Sequence, residues 1–185
     1  MTAPTTTEPV AGPIRQLPRR LYLDTQFVFA YLVEDDRDHR AATEEAERLK
    51  LLCPRYVEVF VSVLVVDELA WKLAALIYDG EKQRAGAWRS LTNQQRKQEY
   101  RGLCPKVAAV IERFLNEPWV RVIAVGDAQC RAVPDTIRQY RLCPADACHL
   151  ACATHGGLGG ILTNDADFRN LRDPPVEVIR YGVGH

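Results

Sequence analysis

No stretch of this 185-residue sequence approaches the roughly 20 apolar residues that a membrane-spanning helix needs. The longest strongly apolar run is Val59 to Val66, and Ser62 interrupts it. Net charge is also missing: 24 Lys+Arg balance 24 Asp+Glu. That excludes a uniformly basic nucleic-acid coat and an acidic disordered tail, while leaving room for a local basic patch. The first twenty residues, MTAPTTTEPVAGPIRQLPRR, lack the continuous apolar segment of a secretory signal and read as a flexible leader. The six cysteines, Cys53, Cys104, Cys130, Cys143, Cys148 and Cys152, contain no C-x-x-C pair. Cys148 and Cys152 stand four apart, with His149 and His155 nearby, but the usual zinc-ligand spacings are missing. The cysteines are therefore expected as free thiols in a reducing compartment, the cytoplasm. There is no internal repeat and no break in composition that would mark a second domain.

What is present is an ordinary globular composition, 47% hydrophobic and 26% charged. A chain of this length buries about 70% of its unfolded surface without staples. The ordered part is expected at 21–185, as one domain. LYL (21–23) reads as a buried strand that stops at Asp24-Thr25, a helix N-cap signal. Helices are expected from Phe27 to Leu32 and from His39 to Leu52, and a second strand from Tyr56 to Val61. Ser62 can cap the next helix, which runs to about Tyr78. Residues 79–106 are polar and basic and read as a helical insert, with a helical pattern resuming at Val107–Leu115. Val120–Val125 is a third strand candidate, and Asp127–Tyr140 a helix that Pro134 kinks or breaks. Pro144 opens an Ala-rich helix to His155, GILT (160–163) is a fourth strand, and Val176–Ile179 a fifth. Alternation of strand and helix argues for a parallel sheet covered on both faces.

In such a sheet, ligands bind at the carboxyl ends of the strands. Two acids follow strands directly, Asp24 and Asp165. Two more sit in apolar surroundings: Glu68 in VLVVDELAWKL, and Asp146 in the first turn of its helix. Each has a plain structural role available. Asp24, Asp165 and Asp167 suit caps or turns, Asp146 suits the positive end of a helix dipole, and Glu68 can pair with Lys72 at i,i+4. Periodicity alone does not decide whether Asp67 or Glu68 points inward. As a set, four acids at one sheet edge are harder to explain structurally. Two carboxylates 4 Å apart repel by about 4 kcal/mol at an effective dielectric of 20. A hard divalent cation such as Mg²⁺ relieves that repulsion, and the chemistry such an ion supports is phosphodiester hydrolysis.

Four blocks in order resemble the PIN domain family, metal-dependent ribonucleases that include the VapC-type toxins. LYLDTQ (21–26) resembles the opening strand-Asp-Thr block, with Gln26 where members often have Asn. VSVLVVDEL (61–69) resembles the second block and selects Glu68; CPADACHLACAT (143–154) resembles the third, and GILTNDADF (160–168) the last. The resemblance implies a three-layer α/β/α sandwich around a five-stranded parallel sheet ordered 3-2-1-4-5. It implies that Asp24, Glu68, Asp146 and Asp165 are catalytic residues that bind Mg²⁺ or Mn²⁺. A water would attack the phosphodiester, with Thr25, Ser62 and Thr163 as polar supports and Asp167 replacing or assisting Asp165. It further implies an RNA substrate, an antitoxin partner and a homodimer, with no membrane association.

The basic stretch has two readings: a solvated surface, or a phosphate-tracking arm in which Arg96, Lys97 and Arg101 meet RNA while Trp88 or Tyr100 stacks on bases. A dehalogenase-like phosphatase needs a second Asp at position 26, where Gln stands, and a receiver domain needs paired acids at the first strand. The alternative that survives is a PIN-like scaffold that binds RNA or protein without cutting.

Overall fold

A computed structural model describes residues 16–182. Residues 1–15 and 183–185 lie outside that span, and with them most of the expected leader. Five short strands, β1 (Arg20–Leu23), β2 (Glu58–Val61), β3 (Val120–Val122), β4 (Gly160–Leu162) and β5 (Glu177–Ile179), form one sheet ordered β3-β2-β1-β4-β5. Every pairing is parallel, with Tyr22 opposite Phe60 on one side and Ile161 on the other. Leu21, Tyr22 and Leu23 are all fully buried. Successive side chains point to opposite faces of a strand, so β1 is covered on both. Gly160 opens β4 where a Cβ would lie 2.8 Å from the Pro18 ring and 2.9 Å from Ile179, an approach only glycine permits.

The connections carry α1 (Thr25–Leu32), α2 (His39–Leu52), α3 (Val63–Glu81), α4 (Asn93–Leu115), α5 (Asp127–Tyr140), α6 (Pro144–His155) and the one-turn α7 (Ala166–Arg169). Strand–turn–helix punctuation falls where the sequence places it. Asp24, Ser62 and Asp165 cap α1, α3 and α7 with their side chains, and Pro144 stands at the first turn of α6. All six cysteines are free thiols. Among the described residues no helix is long and apolar enough to cross a membrane.

Three element boundaries differ from expectation. Residues 79–106 are shared among three elements: the first three finish α3, a 3-10 turn covers Trp88–Ser90, and 93–106 open a 23-residue α4 that runs through Pro105. A capping box at Thr92 and Gln95 starts α4, so the helical pattern begins well before Val107. Pro134 does not end α5. That helix has no buried residue, so water can take up the carbonyl that the proline leaves unpaired. β3 also stops three residues earlier than expected, at Val122, although Ile123 still donates to the Val61 carbonyl at 2.8 Å.

Candidate active site

The carboxyl ends of β1, β2 and β4 lie side by side, and the residues that follow them, Asp24, Ser62 and Thr163, are all buried. Asp24, only 5% exposed, accepts from Thr25 N–H at 2.7 Å through Oδ1 and from the Thr163 hydroxyl at 2.7 Å through Oδ2. The Thr163 hydroxyl in turn accepts from Asp165 N–H at 2.9 Å. One side chain at the end of β4 thus holds Asp24 and the start of the Asp165 turn in register. Thr163→Val keeps the shape but strands both partners, at a cost of about 1–3 kcal/mol. Thermal unfolding in metal-free buffer should show that loss for Thr163→Val and little loss for Thr163→Ser.

Ser62 works in two directions. It caps α3 by accepting from Leu64 N–H at 3.2 Å, and its hydroxyl lies 2.6 Å from the Tyr22 hydroxyl. Two turns along α3, Glu68 is half-buried and Asp67 exposed. On α6, Asp146 is half-buried, and His149, three residues later on the same face, is buried. His149 Nδ1 lies 2.8 Å from the Tyr22 hydroxyl, while Nε2 lies 3.3 Å from Glu68 Oε2 and 3.9 Å from Asp24 Oδ1. With both ring nitrogens protonated, Nδ1–H donates to Tyr22 and leaves the Tyr22 O–H for Ser62. A buried polar chain then links β1, β2, α3 and α6 behind the acids.

Asp24, Glu68, Asp146 and Asp165, drawn from four separate segments, line one cleft of about 400 Å³ together with Asp67, Thr25, Gln26, Trp71 and Lys72. Asp167 is not on that wall. It is exposed, and its carboxylate lies within 4.8 Å of an Asp146 oxygen and of Cys143 Sγ. Asp165 therefore belongs with the other three acids, and Asp167 stands at the rim behind Asp146.

Electrostatics separates the members. Burial, opposed by His149 and by the hydrogen bonds from Thr163 and Thr25, holds the Asp24 carboxyl above its usual range. Burial and the charges of Asp165, Asp24 and Asp167 push Asp146 up to about 6. Glu68 is lowered, chiefly by His149 and against its own burial. Burial pulls His149 down, but the Glu68, Asp24 and Asp146 carboxylates outweigh it and hold the imidazole above its ordinary value. Countercharge therefore comes from His149, with Lys72 contributing at both Asp24 and Glu68. No arginine pairs with any of the four acids in the described residues. The expected Glu68–Lys72 pair does not form; the Lys72 ammonium lies 5.8 Å from the Phe29 ring centre instead.

All the groups facing the cleft as candidate ligands are oxygens, the donor set of a hard cation. Gln26 Oε1 is buried without a well-formed hydrogen bond, which adds an unspent acceptor to the same wall, while the Thr25 hydroxyl helps to lower Glu68. Burial first, and the neighbouring carboxylates second, make the Asp146 carboxyl resist ionisation. The oxygens lining the cleft suit a divalent ion of the Mg²⁺ type, whereas the potential ligand atoms that lie within 4.8 Å of one another among the described residues are those of Cys143, Asp146 and Asp167 at the rim.

His149 is the member that sequence reading missed in this role, having noticed it only beside Cys148 and Cys152. Its one sequence signal is the three-residue step from Asp146 along α6. The basic stretch also differs from expectation. Trp88 is buried under α3, and Arg96 is committed to backbone, donating to the Trp88 carbonyl at 3.1 Å and the Arg89 carbonyl at 2.9 Å. Tyr100 is half-buried, while Lys97 and Arg101 are exposed. Asp79 builds this corner by accepting from Gly86 N–H at 2.8 Å and Trp88 N–H at 2.7 Å.

The PIN domain family profile matches residues 21–174, most of the sequence, and the chain belongs to that family. No curated protein matches it significantly. Among solved structures, VapBC2 from Rickettsia felis bound to a promoter DNA fragment is similar at a TM-score of 0.53 and 14% identity, covering 88% of this chain and 98% of that one. The DNA-bound VapBC from Salmonella typhimurium gives 0.53 at 18% identity, over 87% and 97% of the two chains. The sarcin–ricin-loop-cleaving toxin VapC20 from Mycobacterium tuberculosis gives 0.50 at 20% identity, over 83% and 97%. At these identities the likeness establishes the α/β fold and its 3-2-1-4-5 sheet.

Proposed function

We propose that this protein is a Mg²⁺- or Mn²⁺-dependent endoribonuclease. The observation that carries the reading is the meeting of Asp24, Glu68, Asp146 and Asp165 in one cleft at the carboxyl edge of a parallel sheet. These four side chains would hold the ion, which supplies an activated water and stabilises charge at the phosphoryl group. The protein's own part is positioning. Thr163 and Thr25 fix the Asp24 carboxylate. His149 keeps Glu68 ionised, and Lys72 stands at the cleft as a positive group for an incoming phosphate. Of the three cations expected to meet RNA, Lys97 and Arg101 on α4 are exposed and left to meet its backbone, while Arg96 holds the local structure.

The solved relatives include toxin–antitoxin complexes, and that likeness supports a toxin role with an antitoxin partner. An apolar groove of about 710 Å³ between α3 and α4, lined by Val63, Val66, Val107 and Ile111, is a surface suited to a protein partner. The test is cleavage of labelled structured and unstructured RNA with and without Mn²⁺. Metal-dependent endonucleolytic cutting is the expected result. RNA binding with no cutting in either buffer would favour a non-catalytic scaffold.

A further inference from the structure

Trp71 is 40% exposed, an unusual setting for so large an apolar ring. It lies three residues beyond Glu68 on α3, hence on the same helix face and roughly 4.5 Å further along the axis. Its indole forms part of two walls. One is the acidic cleft; the other is a pocket of about 450 Å³ lined also by Trp88, Arg96 and Lys97. The ring is held from behind. Tyr100 packs on it at 5.0 Å between centroids and 34° between planes, and Trp88 at 6.0 Å and 51°. Trp88 is itself buried and braced edge-on by Tyr78 at 5.6 Å. An aromatic held this firmly and still open to solvent needs little further ordering to receive a flat ligand.

Charge changes sign across Trp71. Acids dominate the cleft on one side, and Lys97 and Arg96 line the pocket on the other. A single-stranded polynucleotide suits that arrangement, offering a phosphate to an ion in the cleft, an unpaired base to the indole, and the next phosphate to the exposed Lys97. A duplex does not, because its bases are already stacked.

We propose that Trp71 is a base-stacking platform, and that the pocket beside it seats an unpaired nucleobase of the RNA whose neighbouring phosphate lies in the acidic cleft. This subsite rests on the ribonuclease reading given above. Arg96 shapes the pocket through its bonds to the Trp88 and Arg89 carbonyls, and Lys97 supplies the phosphate contact.

The test is equilibrium binding, by fluorescence anisotropy, of a short labelled unstructured oligoribonucleotide in EDTA at low salt. Trp71→Ala is expected to weaken binding roughly 5- to 100-fold. Trp71→Phe, which keeps a ring and guards against a folding artefact, is expected to lose only about threefold. Lys97→Gln is expected to reduce the salt slope by about one. A strand carrying abasic sites should bind wild type and Trp71→Ala alike. Equal binding of the intact strand by wild type and Trp71→Ala overturns the platform, as does the same loss on the abasic strand or no binding by the wild type. Cleavage is scored separately in Mn²⁺. A protein that binds through Trp71 but never cuts leaves the platform standing and removes the ribonuclease reading. One that cuts while Trp71→Ala binds normally removes only the platform.

Discussion

Asp24→Asn is expected to lower Mn²⁺-dependent RNA cleavage on the order of a thousandfold, with the fold intact. Asp24 is the most buried of the four acids, and its two oxygens are fixed by separate elements, the first amide of α1 and the hydroxyl that ends β4. Asparagine can still cap α1, because a side-chain oxygen remains for Thr25 N–H. The amide nitrogen then faces Thr163, whose hydroxyl can rotate to accept. What asparagine cannot supply is negative charge where the ion would sit. Single-turnover cleavage measures the loss, and circular dichroism with thermal unfolding shows whether the fold survives. Activity within tenfold of wild type would remove Asp24 from the chemistry and return it to a capping role.

Asp146→Asn is expected to make the metal-free protein more stable at pH 7.5. Asp146 is an acid whose value in the folded protein is raised from 3.8 to about 6. The folded state therefore holds its proton more tightly than the unfolded state does. Stability falls as pH rises from about 4 to about 6 and stays low above that range. The carboxyl is half-exposed, so solvent screening limits the cost to about 1–2 kcal/mol. Asparagine carries no such cost, which corresponds to a midpoint higher by roughly 3–6 °C for a chain of this size. At pH 4 the two proteins should unfold together. Millimolar Mn²⁺ should reverse the order at pH 7.5, because an ion held at 100 times its dissociation constant stabilises the wild type by about 2.7 kcal/mol. Scanning fluorimetry at both pH values, in EDTA and in Mn²⁺, reads all four conditions. A wild type more stable than the variant in EDTA at pH 7.5 would mean that Asp146 is held by a favourable contact rather than strained by its neighbours.

The parts of the site legible in the sequence are those written as local punctuation. Asp24 directly after an apolar strand, Ser62 before the α3 pattern, Pro144 opening an Ala-rich helix, and Thr163 with Asp165 after GILT each mark a strand end or a helix start. In a parallel sheet those ends gather at one edge, so local signals were enough to locate the cleft. Periodicity left Asp67 and Glu68 open and only the family resemblance selected Glu68; both line the cleft, but Asp67 is exposed, while Glu68 is half-buried and reaches His149. His149 itself was illegible for a related reason. Its partners Tyr22 and Glu68 are 127 and 81 positions away in sequence, and nothing local to α6 announces them. In residues 79–106, composition showed the exposed charges but not the buried corner among them. Their charges left a solvated surface or a phosphate-tracking arm open, and neither reading foretold that the Asp79 carboxylate folds the Trp88 turn back onto α3 or that Arg96 spends its donors on that turn. The same fold-back that buries Trp88 leaves Trp71 at the surface beside the acids.

Calorimetric titration of Mn²⁺ into the wild-type protein, with Asp24→Asn and Asp146→Asn alongside, tests the convergence of the four acids most directly. The expected result is saturable binding by the wild type, weakened at least about tenfold in each variant because each removes one charge from a shared ion. Saturation of both variants at wild-type affinity, or no Mn²⁺ uptake by the wild type at millimolar concentration, would contradict it.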